Sequence, residues 1–261
     1  MVSAKTTSEG KDTLSQIKER FKDEMMAWCE RKGISFDDLD DEVVVTRPLS
    51  SYEAIGEPDR DDFPLLRGEE VLMHAVYRGS AGQAFTSAKG AFSGTLKEVL
   101  DFPLSTTFER ATFVCTMNAV MRYLGLVEGT VHCKDSGPKD CASRLKEWLK
   151  DEKITSVGLV GMQPAFLEAL VEVFGSDVMV SDMQEAGNIK YGREVLDGMD
   201  QSELFEQSQL VFITGTTLVN NTIDDMLKLA ERNQNRVVFY GTTIAGAAYL
   251  MGWDRWCVCS S

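Results

Sequence analysis

The chain has 261 residues, 43% of them hydrophobic, which is enough to bury one large core or two smaller ones. Its 41 acidic residues against 27 basic ones give a formal net charge of −14 at pH 7, which argues against a nucleic-acid partner and an anionic membrane surface. The opening residues lack an apolar signal segment, and no later apolar run approaches the roughly 20 residues of a membrane helix, so we expect a cytoplasmic protein.

The first elements in chain order are a helix and an acidic connector. Apolar residues recur at spacings of three and four from Leu14 to Trp28, and this stripe predicts a helix that docks on the rest of the protein. Residues 37–62 carry ten acidic side chains against Arg47 and Arg60, a pattern typical of a solvated segment. We therefore assign residues 1–62 to an amino-terminal helix and connector.

The next stretch combines strand and helix patterns. "EVLMHAVYRG" predicts a strand, and the glycine-rich "SAGQAFTSAKGAFSG" predicts a loop or hairpin after it. "TTFERATFVCTMNAVMRYLG" predicts a helix that stops at Gly125. Residues 63–151 are therefore expected to form an α+β domain.

From residue 154 onward, short apolar runs alternate with helix-length segments. The runs are "ITSVGLVG", "DVMVSD", "LVFITG", "RVVFYG" and "RWCVCS". Near-continuous apolar strands separated by helices predict a parallel sheet covered on both faces. The fold class is therefore α/β, with a Rossmann-like domain at residues 152–261.

Ligands of such sheets bind beyond the carboxyl ends of the strands, where Gly161, Asp182, Gly215 and Gly241 lie. The first turn, "GLVGMQPAF", lacks the G-x-G-x-x-G spacing, and there is no Walker-type sequence, which disfavours classical NAD and P-loop nucleotide binding. Asp182 nevertheless occupies the position at which ribose-binding acids occur.

Two further turns repeat a Gly-Thr-Thr sequence between a strand and a helix, in "ITGTTLVNNT" and "FYGTTIAGAA". The hydroxyls and helix N–H groups there either cap the helix or hold an anionic ligand group. The candidate ligand-binding residues are Thr214, Gly215, Thr216, Asn220 and Thr222 in the first turn, and Gly241 and Thr242 in the second.

These motifs resemble the heavy-metal chelation family, a Rossmann-like domain of unknown function. The resemblance lies in "GLVGMQP", "VSD", "FITGTTLVNNTIDDML" and "VVFYGTT". Upstream, "YRGSAGQAFTSAKGAFSGTL", "RATFVCTMNAVMRYLG" and "TVHCKDSGPKDCA" look like the enolase-N-terminal-like domain that accompanies it. Together they cover about residues 70–259. The resemblance implies two domains around a cleft, with a bound metal or metal chelate, and it implies no reaction.

The cysteines divide between packing and metal ligation. His132, Cys133 and Cys141 offer one nitrogen and two sulfur ligands to a soft transition metal, provided that the backbone turns between the adjacent His132 and Cys133. Cys257 and Cys259 would share a face of the last predicted strand, where core packing is favoured, and Cys259 lies nearer the ligand-bearing edge. The alternative for all of these residues is packing.

The leading hypothesis is therefore binding of a metal ion (Zn, Fe, Co or Ni) or a metal-containing small molecule in the interdomain cleft, in metal or metallocofactor handling. One alternative is a transferase or lyase that uses S-adenosylmethionine or a nucleotide-like cofactor, with Asp182 on the ribose. A second is a non-catalytic scaffold, and a homo-oligomer is compatible with all three. With only two histidines and no G-x-S-x-G elbow, a Ser-His-Asp hydrolase is disfavoured.

Overall fold

The computed structural model describes residues 11–45, 48–67 and 70–261. Residues 1–10 of the opening stretch and Arg47 of the acidic run lie outside these ranges. The chain forms one antiparallel and one parallel-rich sheet, both flanked by helices. The predicted α/β class, with a Rossmann-like sheet following an α+β part, is confirmed.

Two sheets and eleven α-helices make up the described part of the chain. The helices are α1 (Thr13–Lys32), α2 (Ser51–Ile55), α3 (Pro64–Arg67), α4 (Leu96–Asp101), α5 (Thr107–Tyr123), α6 (Gly137–Lys150), α7 (Pro164–Phe174), α8 (Ser202–Gln207), α9 (Thr216–Asn220), α10 (Ile223–Asn233) and α11 (Ala245–Met251). Short 3-10 helices lie at Phe36–Leu39 and Gly175–Asp177. The strands are β1 (Glu42–Val45), β2 (Val71–Tyr77), β3 (Ser80–Thr86), β4 (Phe92–Thr95), β5 (Val157–Val160), β6 (Val178–Asp182), β7 (Ile189–Lys190), β8 (Arg193–Asp197), β9 (Leu210–Thr214), β10 (Arg236–Tyr240) and β11 (Arg255–Trp256).

Sheet A comprises β3-β2-β1-β4, and its strand pairs are antiparallel. The β2–β3 hairpin turns at Arg78 and Gly79, which both have positive φ (46° and 79°), as a two-residue type I′ turn requires. Strand β1 comes from within the acidic run and lies in the interior of the sheet, between β2 and β4. This part of the predicted connector is therefore an integral strand.

Helix α5 packs directly on β3 at Gly82. A Cβ at that position would lie 2.2 Å from the Ala119 nitrogen and 2.4 Å from the Cys115 carbonyl oxygen, so glycine permits this close approach. Helix α1 packs beside α5 through an edge-to-face contact between Phe21 and Phe113, whose ring centroids are 6.1 Å apart. The docking face predicted for α1 is therefore buried.

Sheet B has the order β11-β10-β9-β5-β6-β8-β7. All its neighbouring strands run parallel except β7, which pairs antiparallel with β8. When β7 is left out, the six parallel strands follow each other across the sheet as β8-β6-β5-β9-β10-β11. Numbered by their order in the chain, these strands are 3-2-1-4-5-6, which is the order of dinucleotide-binding Rossmann sheets. The switch point falls between β5 and β9.

Helices cover both faces of sheet B. Helices α6 and α7 bury Leu145, Leu149 and Leu167 on one face. On the other face, Val211 and Ile213 join a continuous apolar cluster that extends through α5 to α1. The two sheets therefore share a core. The predicted divisions at residues 62 and 151 stay predictions.

Within the described ranges, we find no helix that combines the length and the apolar character needed to cross a membrane.

Candidate metal centre

Four half-buried cysteines gather where two distant segments of the chain meet. Cys133 lies in the loop between α5 and α6, and Cys141 lies in the second turn of α6. Cys257 and Cys259 follow β11, in a segment that turns at residues 258–259. The predicted strand over these last cysteines is therefore shorter than expected, because β11 ends at Trp256.

Reciprocal backbone hydrogen bonds join the two segments. The Val131 N–H donates to the Ser261 carbonyl (2.8 Å), and the Ser261 N–H donates back to the Val131 carbonyl (3.0 Å). Two residues that donate to each other's carbonyls in this way form a hydrogen-bonded pair of the antiparallel type. Cys133 lies two residues after Val131 and Cys259 two residues before Ser261, so this pair of hydrogen bonds brings the two cysteine-bearing segments together.

Arg255 and Gly129 hold the second segment against the first. Arg255 donates through Nη2 to the Gly129 carbonyl and through Nε to the Gly241 carbonyl (3.0 Å). Gly129 has a φ of 67°, and a Cβ there would meet the Ser260 Oγ at 2.4 Å. The Ser260 hydroxyl in turn donates to the Cys257 carbonyl (2.7 Å). The cysteine-bearing backbone is therefore fixed without help from the sulfur atoms.

The thiols interact electrostatically with one another. Burial raises the pKa of the Cys133 thiol well above its ordinary value, and the neighbouring Cys257, Cys141 and Cys259 raise it further. Burial likewise raises the pKa of Cys141 to about 12, again with contributions from Cys257 and Cys259. At neutral pH both groups are therefore uncharged thiols, and a bound cation would offset the repulsion that arises between them when they ionise.

Two N–H groups act in the opposite sense on Cys141. The backbone N–H of Val258 lies close enough to the Cys141 sulfur to lower the pKa of this thiol. The buried indole N–H of Trp256 makes no hydrogen bond of standard geometry within the described residues, yet it lies close enough to lower the same pKa. N–H groups around sulfur stabilise the thiolate, which is the form that binds metals.

An open surface cavity of about 480 Å³ adjoins the cysteines. It is lined by Cys133, Lys134, Ser136, Gly137, Asp140, Ser143, Arg144 and Cys259. Asp140 accepts a hydrogen bond from the Ser136 hydroxyl (3.0 Å). The lining of the cavity includes no residue of the two Gly-Thr-Thr turns.

His132 occupies a different environment from Cys133. Its ring makes an edge-to-face contact with Phe85 at 5.1 Å between centroids, and its backbone N–H donates to the Gln83 Oε1 (2.7 Å). Burial lowers the pKa of His132 to about 4, so its imidazole is neutral at pH 7. The structure thus groups Cys133, Cys141 and Cys259 of the predicted metal set, adds Cys257, and places His132 against β3.

The sulfur atoms have not converged on a single point. Over residues 11–45, 48–67 and 70–261, no three His, Cys, Asp or Glu side chains adopt an arrangement that could hold a metal ion as they stand. Ligation therefore requires rotation of cysteine side chains on a backbone that already brings them together. Four thiolates are a donor set for tetrahedral zinc or iron, with metal–sulfur distances of about 2.3 Å for zinc.

The switch-point residues of sheet B are engaged with each other. The Tyr240 hydroxyl donates to the carbonyl of Gly161 (2.7 Å), and a Cβ on Gly161 would meet the Thr214 Cγ2 at 2.7 Å. The Asp182 carboxylate accepts the backbone N–H groups of Met162 (2.8 Å) and Gln184 (2.8 Å). Asp182 thus ties the turn after β5 to its own turn after β6.

The first Gly-Thr-Thr turn leads into α9. Thr214 and Thr216 share a hydroxyl hydrogen bond (3.1 Å), and a Cβ on Gly215 would meet the Ile244 nitrogen at 2.7 Å. Asn220 is exposed at the end of α9, and Thr222 immediately precedes α10. The hydrogen bond between the Thr214 and Thr216 hydroxyls therefore links two residues of the same turn.

The second Gly-Thr-Thr turn joins the two sheets, because the Thr243 hydroxyl accepts the backbone N–H of Phe85 in β3 (3.0 Å). The Thr242 carbonyl accepts a hydrogen bond from Asn118 (3.1 Å), and the Gly241 carbonyl accepts one from Arg255. The Thr242 hydroxyl is buried and has no hydrogen-bond partner among the described residues. Gly241 is thereby linked to the cysteine-bearing segment through Arg255.

Sequence reasoning did not propose Cys257, Lys134 or Arg144 as site residues. A C-x-C pair in a turn offers two ligands, which was the available signal for Cys257. The stretch "CKDSGPKDCASR" already places Lys134 and Arg144 next to cysteines. Only the fold shows that these two side chains line one cavity.

A family model described as "Putative heavy-metal chelation" (DUF364) matches residues 145–251. Two solved structures, both of DUF364 proteins with unknown function, are similar to this chain. The one from Pyrococcus horikoshii has a TM-score of 0.51 at 16% identity, over 89% of this chain and 80% of that one. The one from Desulfitobacterium hafniense DCB-2 has a TM-score of 0.52 at 14% identity, over 92% of this chain and 84% of that one. A search of curated proteins returned no match. The expected family resemblance is confirmed, whereas the enolase-N-terminal-like assignment stays a prediction.

Proposed function

We propose that this protein binds a transition metal through Cys133, Cys141, Cys257 and Cys259. The family description, putative heavy-metal chelation, supports metal binding in general, because the match covers residues 145–251 and includes none of these cysteines. The metal would be zinc, iron, cobalt or nickel, in metal or metallocofactor handling. The observation that carries the proposal is the assembly of four thiols by two segments, close enough that neighbouring sulfurs raise the pKa of Cys133.

The chemistry of the donor set supports a soft metal. Thiolates favour zinc, iron and similar ions over magnesium or calcium, which require oxygen ligands. A divalent cation would replace the thiol protons and offset the repulsion between the thiolates. The N–H group of Val258 on Cys141 is the kind of outer contact that orients and stabilises a metal-bound sulfur.

The alternative that uses S-adenosylmethionine or a nucleotide draws less support from the switch point. Asp182 would have to bind ribose hydroxyls with a carboxylate that already accepts the backbone N–H of Gln184 in its own turn and that of Met162 in the turn after β5. Gly161 would have to admit a cofactor where the Thr214 side chain and the Tyr240 hydroxyl approach it. These contacts favour the thiol site over the sheet edge as the place of binding.

Cobalt binding to protein purified without oxygen tests the proposal. Thiolate ligation gives an intense ligand-to-metal charge-transfer absorption, and elemental analysis gives the stoichiometry. Replacing Cys133 and Cys141 together with serine is expected to weaken cobalt binding at least about tenfold, equivalent to about 1.4 kcal/mol. The same absorption should weaken, because two sulfur ligands are lost.

Cys115→Ser is the matched control. Cys115 is buried in α5, and burial raises its pKa to about 12 without any contribution from another cysteine. This variant should lose stability, since a hydroxyl is placed in apolar surroundings, while its cobalt affinity stays at the wild-type value. Unchanged affinity in the double variant, or no cobalt uptake by the wild type, would remove the basis for the proposal.

A further inference from the structure

A second cavity, of about 290 Å³, lies at the amino-terminal edge of sheet B. Ser156, Val178 and Arg193 are among the residues that line it. Ser156 immediately precedes β5, and the other two residues begin β6 and β8, which are neighbours in the parallel part of the sheet. The cavity is therefore at the opposite end of these strands from the edge where Rossmann-like sheets bind their ligands. It shares no lining residue with the cavity beside the thiols.

Arg193 brings a cation without an ionic partner to this cavity. Its Nε is buried and makes no hydrogen bond within the described residues, and its guanidinium forms no ion pair among them. A buried donor without an acceptor is unfavourable, and a guanidinium can bind a carboxylate with two parallel hydrogen bonds. Arg193 therefore favours a ligand that carries a carboxylate.

Acidic side chains outnumber Arg193 around the cavity. Asp177, Glu194 and Glu203 also line it, so its lining holds three acidic residues and one basic residue. All three acids are exposed, and none forms an ion pair with a described residue. This excess of negative charge disfavours a ligand that is only an anion, whereas an ammonium group on the same ligand would be attracted to these carboxylates.

Part of the lining is apolar. Met179 of β6 and Leu196 of β8 are half-buried there and pack against the shared core. They offer a surface to a short apolar group. The volume of the cavity lies close to the lower end of the roughly 300–1,000 Å³ of small-molecule sites, which suits a ligand of few atoms.

We propose that this cavity binds a free amino acid with an apolar side chain. The carboxylate of the ligand binds Arg193, and its ammonium group faces the three acidic residues. Its side chain contacts Met179 and Leu196. The proposal concerns a different place in the fold from the thiols and does not rest on metal binding.

Isothermal titration calorimetry of the full chain with L-leucine, L-valine and L-methionine at pH 7 tests the proposal. At least one of the three is expected to bind saturably. The N-acetylated form of that amino acid lacks the ammonium charge, and the corresponding amino alcohol lacks the carboxylate. Each analogue is expected to bind at least about tenfold more weakly, equivalent to about 1.4 kcal/mol. These comparisons use the wild type, so they do not depend on the folding of a variant.

Arg193→Gln is expected to weaken binding of the same amino acid at least about tenfold, because the carboxylate loses its paired donors. Arg232→Gln is the matched control, since Arg232 is exposed on α10 and does not line the cavity, and it should bind as the wild type. Cys133→Ser/Cys141→Ser should also bind the amino acid as the wild type, which separates this proposal from the metal site.

Three results would overturn the proposal and leave the metal site untouched. The first is that none of the three amino acids binds saturably. The second is that either analogue binds as tightly as the free amino acid. The third is that folded Arg193→Gln retains the wild-type affinity.

Discussion

Replacing Asn118 with leucine tests the contact that joins the two sheets. Asn118 is fully buried in α5, and its Nδ2 donates to the carbonyls of Gln83 (3.0 Å), Thr242 (3.1 Å) and Thr243 (3.2 Å). Its Oδ1 accepts the Gly246 N–H (2.8 Å) in the first turn of α11. One amide thus links β3 with the loop and helix that follow β10.

The cost follows from the groups left without partners. The Gly246 N–H lies in the first turn of α11, where backbone donors lack intrahelical acceptors, and the Thr243 carbonyl loses the donor that Asn118 supplies. Each buried group that loses its partner costs about 1–3 kcal/mol, whereas leucine returns part of this through apolar burial. We therefore expect the free energy of unfolding to fall by about 2–5 kcal/mol.

Urea unfolding followed by far-ultraviolet circular dichroism measures this loss. Asn220→Leu is the matched control, because Asn220 is exposed and the same substitution there should change stability by less than about 0.5 kcal/mol. The reasoning would be refuted if Asn118→Leu lowered the free energy of unfolding by less than about 1 kcal/mol while the slope of that free energy against urea concentration stayed unchanged. These four contacts would then not stabilise the junction of the two sheets.

Two further predictions concern the stability of sheet B and of the segment that packs on it. Tyr240→Phe removes the hydroxyl donor to the Gly161 carbonyl and should cost about 1 kcal/mol in thermal unfolding; an unchanged melting temperature would contradict this. Burial acts to raise the pKa of Asp62, but hydrogen bonds from Arg60 and Tyr191 outweigh it and hold this pKa below the ordinary value of 3.8. The stability from ionised Asp62 is therefore present above pH 3.8 and is lost as the pH falls through the folded pKa. The difference in unfolding free energy between wild type and Asp62→Asn should shrink only under those acidic conditions. A difference that stays constant with pH would contradict this prediction.

The strand pattern of sheet B was predictable because its interior strands are buried on both faces. Val157–Val160 and Leu210–Thr214 are almost wholly apolar, and such runs identify strands of a covered parallel sheet. The parallel strand β8 was missed because "REVLD" has only two apolar residues, Val195 and Leu196, between charged ones, so it lacks the apolar run of the interior strands. Strand β1 was missed because "EVVV" is short and lies in an acidic run, where its pairing with β2 and β4 overrides the local composition.

The candidate metal centre was only partly predictable, for a reason of topology. Residue types pointed to Cys133, Cys141 and Cys259, but the reciprocal bonds between Val131 and Ser261 join positions far apart in the sequence. No local pattern encodes that pairing. The same long-range contact gives Cys257 its place in the cluster, whereas local periodicity alone made it a packing residue of a strand.

The anchors of the site bear on how metal binding relates to folding. In small zinc domains the metal supplies much of the folding free energy, because little else holds the ligands together. Here Arg255 and the Val131–Ser261 pair fix the two cysteine-bearing segments through backbone carbonyls and N–H groups, and the large shared core lies elsewhere. At the proposed site, binding of a metal would change side-chain rotamers rather than assemble a backbone. Removal of that metal is therefore expected to leave the fold intact, in contrast to a small zinc domain.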